Sequence, residues 1–133
     1  MLGLFKAKKK THQVKILFVD DDTKMVEIIR RRLESYGWEV IVCANGQEGL
    51  EKTASEKPDL ILMEIDIPVL DGHQVLGCLR RDQDLKATPV IMCTKSNRIE
   101  DITRANSCNV AGYVTKPFNH LTLVEKIEEV LAS

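Results

Sequence analysis

Five short apolar runs punctuate the chain, at residues 14–19, 38–43, 60–63, 90–93 and 112–114. Two of them contain the unbroken stretches Ile16-Leu17-Phe18-Val19 and Leu60-Ile61-Leu62-Met63. A strand with one face in water alternates apolar and polar, so an unbroken run predicts a strand buried on both faces. The stretches between the runs repeat with helical spacing. Over 25–36, Met25, Val26, Ile29, Leu33 and Tyr36 make one stripe while Glu27, Arg30, Arg31 and Glu34 face away. Over 121–131 the stripe is Leu121, Val124, Ile127 and Leu131. Asn45 with Glu48 and Asn97 with Glu100 have the spacing of a reciprocal helix cap, and Asp22, Asp71 and Asn119 are placed to cap the first, third and fifth helices. Strand and helix therefore alternate five times. That pattern predicts an α/β fold, a doubly wound five-stranded parallel sheet with right-handed crossovers and helices on both faces.

In such sheets ligands bind beyond the carboxyl ends of the strands. Asp20, Asp21 and Asp22 follow the first strand; Glu64, with Asp66 close behind, follows the third. Thr94 and Lys95 follow the fourth, and Thr115, Lys116, Pro117 and Phe118 follow the fifth. Carboxylates gathered on one rim repel unless they share a cation. A hard divalent ion such as Mg²⁺ suits oxygen ligands and leaves room for waters and a phosphoryl oxygen. With a lysine ammonium and a threonine hydroxyl alongside, the rim has the parts to hold a phosphoryl group on a carboxylate.

Composition narrows the setting. The 133 residues are 44% hydrophobic and 29% charged, as in one ordinary globular domain. The net charge of −1 hides a +4 arm over residues 1–13, carried by Lys6, Lys8, Lys9 and Lys10, against a body near −5. The arm is expected to be a disordered, solvated tail, with the folded domain over 14–133. Nothing in the balance points to nucleic acid, and no stretch is long enough for a membrane span or built as a signal peptide. Cys43, Cys78, Cys93 and Cys108 lack C-x-x-C or zinc spacing, which predicts reduced structural thiols in a cytoplasmic protein. His73 is expected at the surface, and Arg30-Arg31-Arg32 on a solvated face paired with Glu27 and Glu34.

The segments KILFVDDD, DLILMEIDIPVLDG, PVIMCTK and GYVTKPF together resemble the response-regulator receiver domain of two-component systems, over about residues 14–132. The resemblance implies a flavodoxin-like sheet of order 2-1-3-4-5. It implies that Asp20 and Asp21, with the acceptor position at Glu64 and the backbone of Asp66, hold Mg²⁺. Thr94 matches the switch hydroxyl, and Lys116 the lysine that pairs with the phosphoryl group, its bond to Pro117 being cis. Tyr113 matches the aromatic that swings between exposed and buried positions. Pro68 and Asp71-Gly72 match the loop into the third helix. The implied partners are a sensor histidine kinase or other signalling proteins. The face implied is that of the fourth helix, fifth strand and fifth helix, including Lys95, Ile99, Tyr113 and Lys126.

Two positions depart from the pattern. Glu64 stands where the family places its phosphate-accepting aspartate, and Lys95 where it places a small residue. The extra methylene advances the carboxylate by about 1.5 Å, whereas catalytic geometry tolerates errors of about 0.5 Å. In-line attack on a phosphodonor is then expected to be impaired, and any phosphate mimicry to be partial. Glu64 is expected to pair with Lys116, and with Lys95 across the mouth, weakening or removing the Mg²⁺ site. The reading is a stand-alone, atypical receiver, not an enzyme, that signals by protein contact. A working acceptor at Glu64 or Asp66 is the alternative. A small aspartyl-phosphate hydrolase of the haloacid dehalogenase kind is remote, because Thr23 falls one position too early for its D-x-D-x-T motif.

Overall fold

The computed structural model describes residues 12–133, so the arm expected over 1–13 lies almost wholly outside the described residues. The elements are β1 (Lys15–Val19), α1 (Thr23–Glu34), β2 (Glu39–Cys43), α2 (Gly46–Glu56), β3 (Leu60–Met63), α3 (Gly72–Arg81), β4 (Val90–Thr94), α4 (Ile99–Ser107), β5 (Gly112–Thr115) and α5 (His120–Leu131). The strands form one parallel sheet in the order β2-β1-β3-β4-β5.

The unbroken apolar runs are explained by two cores. Ile16, Phe18, Leu60, Leu62, Ile91 and Cys93 face α1 and α5, meeting Val26, Ile29, Leu33, Leu123, Val124, Ile127 and Leu131. Their neighbours Leu17, Val19, Ile61, Met63, Val90 and Met92 face the other way, against Val75, Leu76 and Leu79 of α3 and Ala105 of α4. Alternate side chains on a strand point to opposite faces, so a strand covered on both sides needs apolar residues throughout. Each such side chain contributes about 1.5–3 kcal/mol on burial.

Three local expectations are corrected. Leu121 is 52% exposed, and Leu123 fills the core position instead. Tyr36 lies beyond the end of α1, partly exposed, stacked on Trp38 with ring centroids 5.3 Å apart. Asn97 does not cap α4. The helix begins one residue later, Arg98 takes the cap position without a side-chain bond, and its amide donates to Ser96 Oγ. The other caps form: Asp22 accepts from Met25 N, Asn45 from Glu48 N and Asn119 from Leu121 N, and Asp71 with Gln74 makes a full capping box; the return bond expected between Glu48 and Asn45 N comes instead from Ala44 N. Arg30 and Arg31 pair with Glu27, and Arg30 also with Glu34. All four thiols are free, and burial pushes Cys43 and Cys93 up to about 12, so neither is a ready nucleophile. Among the described residues, no helix is long and apolar enough to cross a membrane.

Candidate functional site

The carboxyl ends of β1, β3 and β4, with the residue that follows β5, open into one cleft of about 510 Å³ whose lining includes Asp20, Asp21, Glu64, Asp66, Thr94, Lys95 and Lys116. The loop from β3 to α3 is pinned beside it. Gly72 N donates to Ile65 O, and a Cβ on Gly72 would sit 2.4 Å from the Glu64 carbonyl oxygen. Gly46 N donates to Pro68 O, and a Cβ there would meet Leu70 O at 2.0 Å. Two glycines thus let the backbone fold back close enough to fix the end of β3.

At the centre is an ammonium between two acids. Lys116 Nζ donates to Asp20 Oδ2 at 2.7 Å and to Glu64 Oε1 at 2.8 Å. Asp20 Oδ1 accepts from Asp22 N, while Glu64 Oε2 accepts from Ile65 N at 2.6 Å and Asp66 N at 3.3 Å. Lys116 is held by its own amide, which donates to Thr94 O, and its bond to Pro117 is cis, as expected. Burial pushes the Asp20 carboxyl up despite the opposing pull of Lys116. For Lys116, burial alone would lower the ammonium, but the hydrogen bonds it donates to Asp20 and Glu64, with their negative charge, outweigh it and raise it.

Every carboxylate oxygen of Asp20 and Glu64 therefore already takes a protein donor. Asp21 and Asp66 stand exposed at the rim. Among the described residues, no three histidine, cysteine or acidic side chains are grouped to hold a metal ion. As arranged, the lysine ammonium occupies the shared-cation role between Asp20 and Glu64, on oxygens that a divalent cation would also use.

Thr94 is buried at the end of β4, its Oγ1 accepting from Ser96 N at 3.3 Å. Tyr113 is half-buried on β5, its hydroxyl donating to Ser96 O at 2.8 Å, an inward position. Lys95 is exposed at the mouth of the cleft, and its expected pair with Glu64 does not form among the described residues. Ile99 is 77% exposed, and Lys126 Nζ pairs with Glu129 at 2.8 Å. His73 is the clear correction: it is buried, its Nε2 lying 3.0 Å from Asp101 Oδ1. The reading of the sequence missed it, with Ser96 and Asp101, because the pair is 28 positions apart and leaves no local pattern.

A family model for the response regulator receiver domain matches residues 16–128. The chain belongs to the response-regulator receiver family. This receiver is 35% identical to the protein PilH of Pseudomonas aeruginosa over 118 residues, which cover 89% of the chain and 98% of PilH. It is 33% identical to the alkaline phosphatase synthesis transcriptional regulatory protein PhoP of Bacillus subtilis over 88% of the chain, but spans only 48% of PhoP. The chain thus spans about half the length of several curated relatives. Among solved structures, the chemotaxis response regulator CheY4 of Vibrio cholerae superposes with a TM-score of 0.83 at 28% identity, covering 90% of this chain and 99% of that one. A CheY-like receiver domain protein from Methanospirillum hungatei gives 0.84 at 32% identity, covering 90% and 94%. The receiver motifs thus sit on the receiver fold.

Proposed function

We propose that this receiver is a signalling module of a two-component phosphorelay that works without phosphorylation at Glu64. One observation carries the reading: Lys116 bridges Asp20 and Glu64, so the cation meant for an incoming phosphoryl group is already bound by the chain's own acids. A phosphodonor approaching Glu64 has to displace that contact, and it meets a carboxylate advanced by about 1.5 Å from the aspartate position. Mg²⁺, which receiver domains use at this site, is weakened here because the ammonium competes for the same oxygens.

The inward Tyr113 supports an active-like resting state, with its hydroxyl on Ser96 O in the unmodified protein. In this reading the chain acts in the cytoplasm by contact with a sensor kinase or another signalling protein. The contact face comprises α4, β5 and α5, where Ile99 offers exposed apolar surface and Lys126 a charge.

Acetyl phosphate with Mg²⁺, followed by intact mass, tests the reading. The unaltered chain is expected to keep its mass, and Glu64→Asp to gain one acid-labile phosphate. A stoichiometric gain by the unaltered chain overturns the reading, and mapping the phosphate then decides between Glu64 and Asp66.

A further inference from the structure

Every polar atom of Ser96 is engaged. Its amide donates to Thr94 Oγ1 at 3.3 Å, and its carbonyl accepts from the Tyr113 hydroxyl at 2.8 Å. Its Oγ accepts from Arg98 N and donates to Asp101 Oδ2. The other oxygen of Asp101 takes His73 Nε2 at 3.0 Å, which donates in the tautomer that leaves Nδ1 unprotonated. One short loop residue thus touches both switch side chains, Thr94 and Tyr113, and is tied through Asp101 to a third element.

That element is rigid. His73 lies in the first turn of α3, which is fixed by the Asp71–Gln74 capping box and by the close approach of Gly72 to the Glu64 carbonyl. The tie is also shielded from water, with the His73 side chain 4% and Asp101 22% exposed. His73 Nδ1 is the one buried side-chain nitrogen or oxygen with no partner among the described residues. An apolar residue would avoid that cost, and the bond from Nε2 to Asp101 is what the imidazole supplies instead. The start of α4, by contrast, has no side-chain cap of its own and depends on Ser96.

We infer that His73, Asp101 and Ser96 are positioning residues which clasp the β4–α4 loop to α3 and thereby hold Tyr113 inward without a phosphoryl group. Asp101 accepts from both sides, so its loss frees Ser96 and His73 together. Freeing Ser96 lets its carbonyl move away from β5, and the Tyr113 hydroxyl loses its acceptor. The clasp rests on the reading of Tyr113 as the switch side chain. It is measured with no phosphodonor present, so a phosphorylatable Glu64 would leave it standing.

The test is the ring position of Tyr113, read from its proton and carbon chemical shifts in the unmodified full chain. Ser96→Ala is the informative variant, because it keeps the carbonyl that Tyr113 uses and removes only the hydroxyl that ties the loop. A hydrogen bond to a charged group is strong enough that Ser96→Ala and Asp101→Ala should each shift the inward-to-outward ratio by about tenfold. His73→Leu should do the same, while His73→Gln, which keeps a donor, should restore the inward ring. Ile127→Val loosens the opposite core and serves as the control for general destabilisation. Unchanged Tyr113 shifts in Ser96→Ala and Asp101→Ala would overturn the inference, and so would an equal release of Tyr113 by Ile127→Val.

Discussion

Replacing Lys116 by Met keeps most of the stem and removes the ammonium that joins β1 and β3 to the end of β5. The three side chains are 11%, 1% and 8% exposed for Lys116, Asp20 and Glu64. Two charge-assisted hydrogen bonds are lost, each contributing about 1.5–3 kcal/mol. Removing one partner of a buried ion pair costs about 3–5 kcal/mol, because the remaining charges stay buried without compensation. Against a total stability of about 5–15 kcal/mol the variant folds, but with a greatly reduced margin. Urea unfolding followed by circular dichroism measures the loss. Two further signatures separate this cause from a packing defect. Glu64→Gln in the Lys116→Met background should recover part of the loss, since only Asp20 then stays uncompensated. The variant should also gain stability from Mg²⁺, by about 2.7 kcal/mol at a concentration one hundred times its dissociation constant. The unaltered chain should show little of that gain. A cost below about 1 kcal/mol, the range of exposed bridges, with no response to either Glu64→Gln or Mg²⁺, would refute the reasoning.

Other expectations follow from single contacts. Arg80 donates to the carbonyls of Cys108, Lys86, Thr88 and Asn109, so Arg80→Met should cost about 2–3 kcal/mol in thermal or urea unfolding although it keeps the stem. Gly46→Ala drives a Cβ into the Leu70 carbonyl at 2.0 Å and should cost about 2–4 kcal/mol, whereas Gly77→Ala meets only the flexible end of Arg81 at 3.3 Å and should be neutral or stabilising by up to about 1 kcal/mol. The hydrogen bonds from Ser96 and His73 hold the Asp101 carboxyl below its ordinary 3.8. A carboxyl with a depressed folded pKa stabilises above its unfolded value and loses that contribution as pH falls through the folded one. Acid unfolding of Asp101→Asn should therefore be less steep below pH 3.8 than that of the unaltered chain.

The sequence carried the sheet because strand burial on two faces leaves a composition signal. Leu60-Ile61-Leu62-Met63 has no polar position at which another topology could turn a face to water. It carried the rim for a related reason: strands are short, so the residue after each apolar run must lie at its end. Asp20, Glu64, Thr94 and Lys116 meet in space because four strand ends meet. Leu121 was misplaced because Leu121 and Leu123 both fit an apolar spacing, and the Asn119 cap sets the phase in favour of Leu123. His73 was misplaced because its partner comes from another helix. A histidine at a helix start reads as polar and exposed until the aspartate that satisfies it is seen. The same holds for Lys95: the chain places it near Glu64, but Lys116 has already satisfied that charge, and Lys95 stays outside.

The central claim is that the resting chain already has the conformation it signals with, and that the site at Glu64 does not take a phosphoryl group. The direct measurement is the amide nitrogen–proton spectrum of the unaltered chain before and after acetyl phosphate with Mg²⁺. The account predicts superimposable spectra, with Thr94, Ser96 and Tyr113 unmoved. A second set of peaks at those residues and at Glu64 and Lys116, growing with phosphodonor and disappearing as it is consumed, would contradict it.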